Sequence, residues 1–357
     1  MHSTTQSGGT PDARHHGGGS VDGTARLLDL IHAGWTSQAV CTMVELHLAD
    51  HLAAQAHTTA SLALACGCDE ASLGRLLRAL QSLELLQSDG EGLLRLTPLG
   101  QRLRTGAADS LDAQALWFAR HSWPLWAGLT DSVRTGRTLR DRLRSQTGYR
   151  HLEADAEAAQ VFNQAMVQLT RPVAASVAAL CDFVGVREIM DVGGGHGELL
   201  AACLAACPQA RGRVLEMAHA VPGARAHLAV AGLASRAVAE EGDFFVNIAK
   251  GADLVLLKAV LHNWDDDRCA AILQNVRSAL PPGGRLLVVE RVVPQPVLPT
   301  AAHRTVVRSD LNMLVGVGGR ERTAAEFQRL LQESDFELQS ITPAVLGFSA
   351  IESRRSG

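Results

Sequence analysis

The sequence predicts an α/β protein, in which a mainly α, winged-helix-like domain precedes a domain built on a parallel β-sheet. From about residue 188 onward, short apolar segments alternate with helical ones, which is the pattern of a parallel sheet covered by helices on both faces. Between about residues 24 and 104, apolar residues recur every three or four positions, as in amphipathic helices. A length of 357 residues gives room for about two domains of this kind.

The N-terminal region has the element order of a winged helix. Two short helices are predicted at residues 58–63 and 69–80, and a β-hairpin turning at an Asp-Gly pair follows them. Asp69 stands where the second helix needs an N-cap. Arg75 and Arg78 on this helix leave DNA binding as an alternative. The acidic net charge of the chain favours the other interpretation, a dimerisation and lid domain.

The first residues are rich in Gly, Ser, Thr and His and lack the apolar core of a signal sequence, so we expect a disordered leader. Its paired histidines leave metal binding as an alternative. The predicted segments are a disordered leader at residues 1–23, a winged-helix-like dimerisation domain at 24–110, a helical connector and lid at 111–180 with an interruption at 135–143, and the sheet domain at 181–357.

Five parallel strands and a final hairpin are expected in the sheet domain. The strands are predicted at residues 188–192, 213–217, 237–239, 253–257 and 285–290, and the hairpin at 336–341 and 347–352. Ligands of parallel sheets bind beyond the carboxyl ends of the strands, so the residues at those ends are the first candidates for a site.

Composition narrows the class of partner. With 33 Lys and Arg against 37 Asp and Glu, the formal charge is −4, which offers no basic field for nucleic acid or anionic lipid. The seven cysteines form no Cys-x-x-Cys pair and indicate reduced thiols in the cytoplasm. The longest apolar run, residues 199–207, is too short to cross a membrane. We therefore expect small molecules or other proteins as partners.

The most informative segment is a glycine-rich turn after the first strand. Asp191 is followed by Gly193, Gly195 and Gly197, and a helix is expected to begin at Glu198. A dinucleotide-binding turn has a third glycine at the position of Glu198, whose carboxylate would repel a pyrophosphate. The Gly-x-Gly-x-Gly form after an acidic residue suits a phosphate-free nucleoside with a positive centre, such as S-adenosylmethionine. A plain turn is the alternative.

Polar side chains follow the next strands. Glu216 ends the second strand about 20 residues after the glycine turn, where an acidic residue accepts hydrogen bonds from ribose hydroxyls. Asp243 and Phe244 follow the third strand and suit an adenine amino group and ring face. Lys258 ends the fourth strand, where an unpaired buried ammonium would be costly, so we expect it to reach the cleft. A surface glutamate, a helix cap and a core aromatic are the alternatives.

A candidate base comes directly after the fourth strand. His262 would lie at the lip of the same cleft, and histidine is the side chain whose ordinary pKa lies near neutrality. Glu290 ends the fifth strand and Glu321 precedes a later helix. If both carboxylates converge on the imidazole, they hold its tautomer and raise its basicity. A structural histidine with ordinary ion pairs is the alternative.

Taken together, these segments resemble the small-molecule O-methyltransferases of the caffeic acid O-methyltransferase type, whose bacterial members act in antibiotic and polyketide pathways. The resemblance extends from about residue 25 to the end of the chain. The motifs that carry it are Asp191-Val192-Gly193-Gly194-Gly195-His196-Gly197, Gly242-Asp243-Phe244-Phe245, Leu257-Lys258-Ala259-Val260-Leu261-His262-Asn263-Trp264-Asp265-Asp266, Leu280-Pro281-Pro282-Gly283-Gly284 and Gly319-Arg320-Glu321-Arg322-Thr323.

The resemblance implies a Rossmann-like class I methyltransferase domain, S-adenosyl-L-methionine as cofactor and an intertwined homodimer formed through the N-terminal domain. It implies His262 as the base, flanked by Glu290 and Glu321. The candidate cofactor-binding residues are Asp191, Gly193, Gly195, Glu216, Met217, Gly242, Asp243, Phe244 and Lys258. The candidate substrate-binding residues are Phe162, Asn163, Met166, Asn263, Trp264 and Met313.

Two positions depart from the plant members of this family. Glu216 stands where they carry aspartate, which is a chemically mild change. Asn263 stands where many members carry aspartate beside the histidine, so a contact made there changes from acceptor only to donor and acceptor. The acceptor molecule therefore need not be that of the plant enzymes.

The expected reaction is methyl transfer to a hydroxyl, phenolic in our interpretation, of an aromatic natural product or polyketide intermediate. Methylation at carbon or nitrogen, a diverged member of the family and a ligand-responsive DNA-binding protein remain the alternatives. The spacing of His262, His303 and nearby carboxylates fits no strong metal pattern, and no metal is expected.

Overall fold

The structure is a computed structural model that describes residues 18–139, 141, 152 and 154–357. The chain divides into two compact units, Met1–Thr97 and Pro98–Gly357. None of the described helices is both long enough and apolar enough to span a membrane.

The first unit is helical with one small hairpin. Its elements are α1 Gly18–Glu45, α2 Leu48–Ala54, α3 Thr59–Cys66, α4 Glu70–Ser82, β1 Leu86–Ser88 and β2 Leu94–Leu96. The carboxylate of Asp69 accepts a hydrogen bond from the backbone N–H of Ser72 at 2.8 Å, which makes Asp69 the N-cap of α4 as predicted. Strands β1 and β2 pair antiparallel, so the two helices and the hairpin of a winged helix are present.

The prediction of a disordered leader at residues 1–23 was too long. Helix α1 begins at Gly18, so the last six of those residues are helical. Residues 1–17, which include the paired histidines, lie outside the described part of the chain. The glycines at positions 17–19 concealed the start of α1, because glycine is a poor helix former.

Short helices and one long helix open the second unit. They are α5 Pro98–Gln101, α6 Asp112–Trp117, a π-helical turn Phe118–Ser122, α7 Trp123–Trp126, α8 Leu129–Thr135 and α9 Ala156–Leu180. Residues 140 and 142–151 lie outside the described part of the chain. They include part of the interruption that was predicted at 135–143. The buried Gln168 of α9 bonds the side chain of Asp112 on α6, so the described parts of the connector pack on each other.

The remaining elements alternate between strand and helix. In chain order they are β3 Glu188–Val192, α10 Glu198–Ala206, β4 Arg211–Glu216, α11 Val221–Val230, β5 Ala237–Glu241, β6 Leu254–Lys258, a 3₁₀ turn Leu261–Asn263, α12 Asp266–Ala279, β7 Arg285–Val293, α13 Ala301–Gly316, β8 Arg322–Thr323, α14 Ala324–Glu333, β9 Phe336–Pro343, a 3₁₀ turn Val345–Gly347 and β10 Phe348–Arg355.

The strands form one sheet in the order β5-β4-β3-β6-β7-β10-β9, and the short β8 pairs with β7 outside this path. Neighbouring strands from β5 to β7 are parallel, whereas β10 is antiparallel to both β7 and β9. The predicted parallel sheet and terminal hairpin are therefore present. The sheet reverses its order at β3, which lies between β4 and β6, and parallel sheets bind ligands at such a point.

Both faces of the sheet are buried. Along β3, Ile189 packs in the core with α9, α10 and α11, while its neighbour Met190 packs in the core with α12 and α14. Strand β6 alternates in the same way. Because side chains on a strand alternate between faces, a strand apolar at every position must be covered on both sides. The carboxyl edge of this double-covered sheet holds the polar residues described next.

Candidate functional site

The turn after β3 is shaped by its glycines. Gly193, Gly195 and Gly197 have φ of 66°, 57° and 79°, a left-handed conformation that L-residues with a Cβ rarely adopt. A Cβ at Gly193 would lie 3.0 Å from a methyl of Val260, whereas a Cβ at Gly195 would meet nothing within 4 Å. The turn is thus closely supported on one side and open above Gly195, which leaves a cradle of bare backbone.

Asp191 lies beneath this turn. Its side chain is fully buried, and a Cβ on Gly194 would come within 2.5 Å of its carboxyl carbon. Neither carboxylate oxygen has a hydrogen-bond partner of ordinary geometry among the described residues. Burial raises the pKa of Asp191 to about 7, although the backbone N–H of Leu200 opposes the shift. A positive charge brought to this edge would favour the ionised carboxylate.

Glu216 ends β4 beside the same turn. Its carboxylate accepts hydrogen bonds from the backbone N–H groups of Gly195, at 3.0 Å, and Met217, at 2.9 Å. Burial raises the pKa of Glu216, while these two donors favour its ionised form. A carboxylate has about four lone-pair sites, so two remain to accept from ribose hydroxyls.

The segment after β5 brings an acceptor and an aromatic ring to the turn. The ring of Phe244 lies 3.6 Å from the Cβ position of Gly193. Asp243 is exposed and accepts a hydrogen bond from the backbone N–H of Phe245 through one oxygen, at 2.8 Å. Gly242 allows a close approach, because a Cβ there would lie 2.5 Å from a methyl of Leu215.

Lys258 ends β6, and its ammonium lies 5.1 Å from the ring centroid of Phe348. Burial lowers the pKa of Lys258 to about 8, and the charge of Glu290 opposes this shift. Lys258 therefore interacts both with Asp191, beneath the glycine turn, and with Glu290, beside the candidate base.

Glu198 opens α10 and is held by two partners. Its carboxylate contacts Nε of Arg171 at 2.9 Å and Nε2 of His227 at 2.8 Å. Burial acts to raise the pKa of Glu198, but His227 and Arg171 outweigh burial and lower it. Arg171 belongs to α9, so this ion pair links α9 to the start of α10.

His262 lies in the 3₁₀ turn after β6 and is buried. Its Nδ1 is 3.2 Å from Oε1 of Glu321 and 3.3 Å from Oε2 of Glu290. Since an ionised carboxylate only accepts hydrogen bonds, Nδ1 carries the proton and Nε2 is left as an acceptor. Burial disfavours the charged imidazole, but the two carboxylates outweigh burial and raise the pKa of His262.

The two carboxylates are themselves held in place. Oε1 of Glu290 accepts from the backbone N–H groups of Val260, at 2.9 Å, and His262, at 3.3 Å. Glu321 accepts from the hydroxyl of Ser309 at 2.6 Å. Burial raises the pKa of Glu290, whereas the hydrogen bond to His262 overcomes burial and lowers that of Glu321. Glu290, which the sequence placed at the end of the fifth strand, is fully buried.

A clamp formed by residues 319–322 fixes the turn that carries His262. The backbone N–H of Arg320 donates to the carbonyl of His262 at 2.8 Å. The fully buried Arg322 donates to the carbonyls of Leu261, at 3.0 Å, and Trp264, at 2.9 Å. A Cβ on Gly319 would clash with the carbonyl oxygen of His262, so glycine is required for this close approach. The clamp brings Glu321 onto the imidazole.

The candidate substrate-binding residues come from three elements. Phe162, Asn163 and Met166 lie on α9, where Phe162 contacts Trp117 with ring centroids 4.9 Å apart. Met313 is buried on α13, and the side chain of Asn263 donates to the carbonyl of Ala259 at 3.0 Å.

Trp264 has a different environment from the other candidate substrate-binding residues. Its ring packs on Phe245, with centroids 4.9 Å apart, and under the guanidinium of Arg268. These contacts group Trp264 with the aromatic residues that follow β5.

His262, Glu290 and Glu321 also form the one cluster in the described part of the chain with the composition of a metal site. Nδ1 of His262 hydrogen-bonds Oε1 of Glu321 at 3.2 Å, whereas Oε2 of Glu290 lies 3.3 Å from Nδ1 as an ion-pair contact and has no hydrogen-bond partner among the described residues. His303, the other histidine considered for a metal, accepts instead from the backbone N–H of Leu298 at 2.9 Å.

Comparisons with known proteins identify the class. A family model for the O-methyltransferase domain matches residues 126–337, and one for the O-methyltransferase dimerisation domain matches residues 28–106. The chain belongs to this O-methyltransferase family. It is an enzyme, and its cofactor is S-adenosylmethionine.

The relatives include enzymes of antibiotic pathways. The chain is 34% identical to phenazine O-methyltransferase PhzM of Lysobacter antibioticus, over 94% of this chain and 97% of that protein. It is 36% identical to O-demethylpuromycin-O-methyltransferase of Streptomyces alboniger, over 92% and 88%. It also matches the crystal structure of NcsB1, an O-methyltransferase from neocarzinostatin biosynthesis in complex with S-adenosylmethionine and 2-hydroxy-5-methyl naphthoic acid. That match has a TM-score of 0.74, 31% identity and coverage of 89% and 95%.

The residues at the glycine turn fit this cofactor. The cradle above Gly195 leaves open space against bare backbone, and the carboxylates of Glu216 and Asp243 have oxygens that would accept from hydroxyl and amino groups. Carboxylates also suit a ligand with a sulfonium charge better than one with phosphates.

Three residues near His262 were missed from the sequence: Arg291, Ser309 and Arg322. Arg322 belongs to the motif that contains Glu321, but its position in that motif does not reveal that it turns inward. Ser309 lies in mid-helix with no distinguishing neighbour, so the sequence carried no signal for it.

Proposed function

We propose that this enzyme transfers the methyl group of S-adenosylmethionine to a phenolic hydroxyl of an aromatic natural product, with His262 as the general base. The observation that carries the proposal is the pairing of Nδ1 of His262 with two buried carboxylates, which leaves Nε2 free to accept a proton. His262 directly follows β6, at the same sheet edge as the glycine turn.

The cofactor would be held by five residues of the chain: Gly193, Gly195, Glu216, Asp243 and Phe244. In addition, Asp191, Met217, Gly242 and Lys258 border this group. When bound, S-adenosylmethionine supplies an electrophilic methyl group on a sulfonium centre. The enzyme's larger contribution is to align the acceptor oxygen with that group, since orientation is worth up to about 7–11 kcal/mol.

The base removes a proton that the acceptor does not readily lose. A phenol with a pKa near 10 is only about 0.1% ionised at pH 7. Nε2 of His262 accepts this proton as the oxygen becomes nucleophilic, and Glu290 and Glu321 stabilise the imidazolium that forms. General bases of this kind contribute about 10²- to 10⁴-fold.

Side chains of α9 and α13 support an aromatic acceptor. Phe162, Met166 and Met313 offer apolar and polarisable surfaces, which suit a flat ring system. Asn163 and Asn263 offer amides that donate to or accept from polar ring substituents. The hydroxynaphthoic acid in the complex of NcsB1 is a flat aromatic molecule of this type.

The proposal includes a homodimer that acts in the cytoplasm. Helix α1 exposes large apolar side chains, including Leu30, Ile31 and Trp35, each of which is more than half exposed in the single chain. Exposed apolar surface of this kind is typical of an interface, and α1 falls largely within the match to the dimerisation domain. The seven cysteines, all free, fit a reducing compartment. Light scattering on the purified chain tests for the dimer.

The deciding experiment is incubation with methyl-labelled S-adenosylmethionine and a panel of phenolic acids, naphthoates and polycyclic polyketides. We expect label in a phenolic product, with the new methyl resonance coupled to an aryl ether carbon by NMR. A methyl on carbon or nitrogen would replace the proposed reaction with the corresponding alternative. Absence of label from every hydroxyl-bearing compound of the panel would contradict the proposed acceptor class.

A further inference from the structure

Two carboxylates on one imidazole create a difficulty for a base. Glu290 and Glu321 both lie within 3.3 Å of Nδ1 of His262, and both favour its protonated form. A histidine that is already protonated at neutral pH cannot accept a proton from the acceptor. A base in this position therefore needs a compensating positive charge nearby.

Arg291 is placed to supply that charge. It follows Glu290 in β7, is 9% exposed, and its guanidinium carbon lies 4.0 Å from the ring centroid of Phe348. Its Nη1 donates to the hydroxyl of Ser309 at 3.2 Å, and that hydroxyl donates to Glu321 at 2.6 Å. Glu321 in turn accepts from His262, so a continuous chain of hydrogen bonds joins the guanidinium to the imidazole.

The guanidinium is not committed to an ion pair of its own. Within the described parts of the chain, no carboxylate oxygen lies within 4.0 Å of Arg291, and its Nε lacks a hydrogen-bond partner. A buried arginine without a direct partner is costly, so its charge must be balanced by groups slightly farther away. Glu290 and Glu321 are the groups that favour its charged form.

The other charged groups around His262 act differently from Arg291. Lys258, on β6, interacts with Glu290 and Asp191, whereas the positive charge that disfavours protonation of His262 itself is that of Arg291. Asp310, on α13, accepts from the backbone N–H of Glu321 at 2.9 Å and would add negative charge. Asp266, at the start of α12, pairs with Arg322 at 2.7 Å, so these two charges offset each other.

We infer that Arg291 is a positioning residue for the base: through Ser309 it holds Glu321 on Nδ1 of His262, and its charge offsets one of the two carboxylates. His262 then stays unprotonated, and available as a base, at a lower pH than the carboxylates alone would allow. This inference rests on the proposed role of His262.

The test compares the pH dependence of kcat/KM in Arg291→Met and Arg291→Lys with that of the wild type. Methionine removes the charge while keeping an unbranched stem, and lysine keeps the charge. Arg285→Met, on the same strand but paired with Glu352, is the matched control.

We expect Arg291→Met to move the acidic limb of the profile to higher pH by about one unit. Such a shift corresponds to about a tenfold loss of kcat/KM at pH values below the limb, with recovery at high pH. Arg291→Lys and Arg285→Met should keep the limb of the wild type. An equal loss at every pH for Arg291→Met, or an unmoved limb, would overturn the inference.

Two further variants complete the design. Ser309→Ala breaks the hydrogen-bonded link between Arg291 and Glu321 without removing the charge. We expect kcat to fall about tenfold with unchanged binding of S-adenosylmethionine, and a wild-type kcat would contradict the inference. If Arg291→Met does not fold, this variant decides.

His262→Ala separates the proposed role of His262 as base from the inference about Arg291. An acidic limb that survives in His262→Ala defeats the proposed base, whereas a limb that depends on His262 but ignores Arg291 defeats only the present inference.

Discussion

The two halves of the sheet's carboxyl edge are built in different ways. On the cofactor side, the turn from Gly193 to Gly197 forms a cradle from backbone, and what matters is where side chains are missing. On the base side, His262, Glu290 and Glu321 converge from positions far apart in the chain. The backbone cradle of the first half is therefore local in sequence, whereas the cluster of the second half depends on the whole fold. The two halves should respond differently to substitution.

The largest effect is expected from His262→Ala. Loss of the base should lower kcat at neutral pH by about 10²- to 10⁴-fold. Part of the activity should return at high pH, where the phenol ionises without help. Measurement of kcat between pH 6 and about 10 gives the profile, and His303→Ala, which lies outside the pairing with Glu290 and Glu321, serves as the control. A variant with wild-type rates at every pH would remove the base from the mechanism.

A matched pair of glycine substitutions separates the two halves. Gly194→Ala would place a Cβ 2.5 Å from the carboxyl carbon of Asp191, so it should weaken binding of S-adenosylmethionine. Gly319→Ala would push on the carbonyl of His262, so it should lower kcat by about 10- to 100-fold and leave cofactor binding near that of the wild type.

Calorimetry and steady-state kinetics on both glycine variants give the two readouts. If both variants lost kcat and cofactor affinity in the same proportion, the two halves of the edge would have to be regarded as one coupled unit.

The clamp itself is tested by Arg322→Lys. Lysine cannot reproduce the planar contacts to the carbonyls of Leu261 and Trp264 and to Asp266. We expect a loss of about 1–3 kcal/mol in the free energy of unfolding and a lower kcat. Chemical denaturation measures the first and kinetics the second. Arg329→Lys, an exposed residue on α14, should change neither, and an Arg322→Lys protein as active and as stable as the wild type would refute the clamp.

A smaller, pH-dependent effect is expected on the cofactor side. Burial raises the pKa of Asp191 to about 7 in the folded chain, from an ordinary value of 3.8. A raised pKa means that stability is fully present below the ordinary value and is lost as the pH rises through about 7. Asp191→Asn stays neutral, so the Tm of the wild type relative to this variant should fall across that window.

Thermal melts of the wild type and Asp191→Asn, without cofactor, provide the comparison. The exposed Asp267→Asn controls for the loss of any carboxylate. Parallel curves for the wild type and Asp191→Asn would mean that Asp191 has the same pKa in the folded and the unfolded chain, and would contradict the raised pKa.

The cofactor side and the base side of the sheet edge also differ in how far the sequence predicted them. The glycine turn and the strand ends at Glu216 and Lys258 were readable, because glycine spacing and apolar runs are local signals. The position of His262 was also local. That Glu290 and Glu321 reach it was an expectation taken from chemistry and resemblance, and the structure places both within hydrogen-bond distance.

What the sequence did not predict depends on packing at long range. Arg291 follows Glu290 on an apolar strand, and its charge suggests that the buried part of the strand ends there. In the structure its guanidinium instead lies over the ring of Phe348 on β10. Arg322 reads as a surface arginine, because arginine is rarely fully buried, and only the carbonyls that it meets explain its position. Strand β7 also runs to Val293, three residues beyond the predicted end, because β8 pairs with its last residues.

The placement of β10 has a consequence for assembly. This strand follows all the others along the chain, yet it is inserted between β7 and β9, and its Phe348 covers both Lys258 and Arg291. During synthesis, a nascent chain that has completed β7 cannot yet shield those two cations from water. The electrostatic environment of the base is therefore completed only when the last hairpin docks, which links catalytic competence to the final segment of the chain to be synthesised.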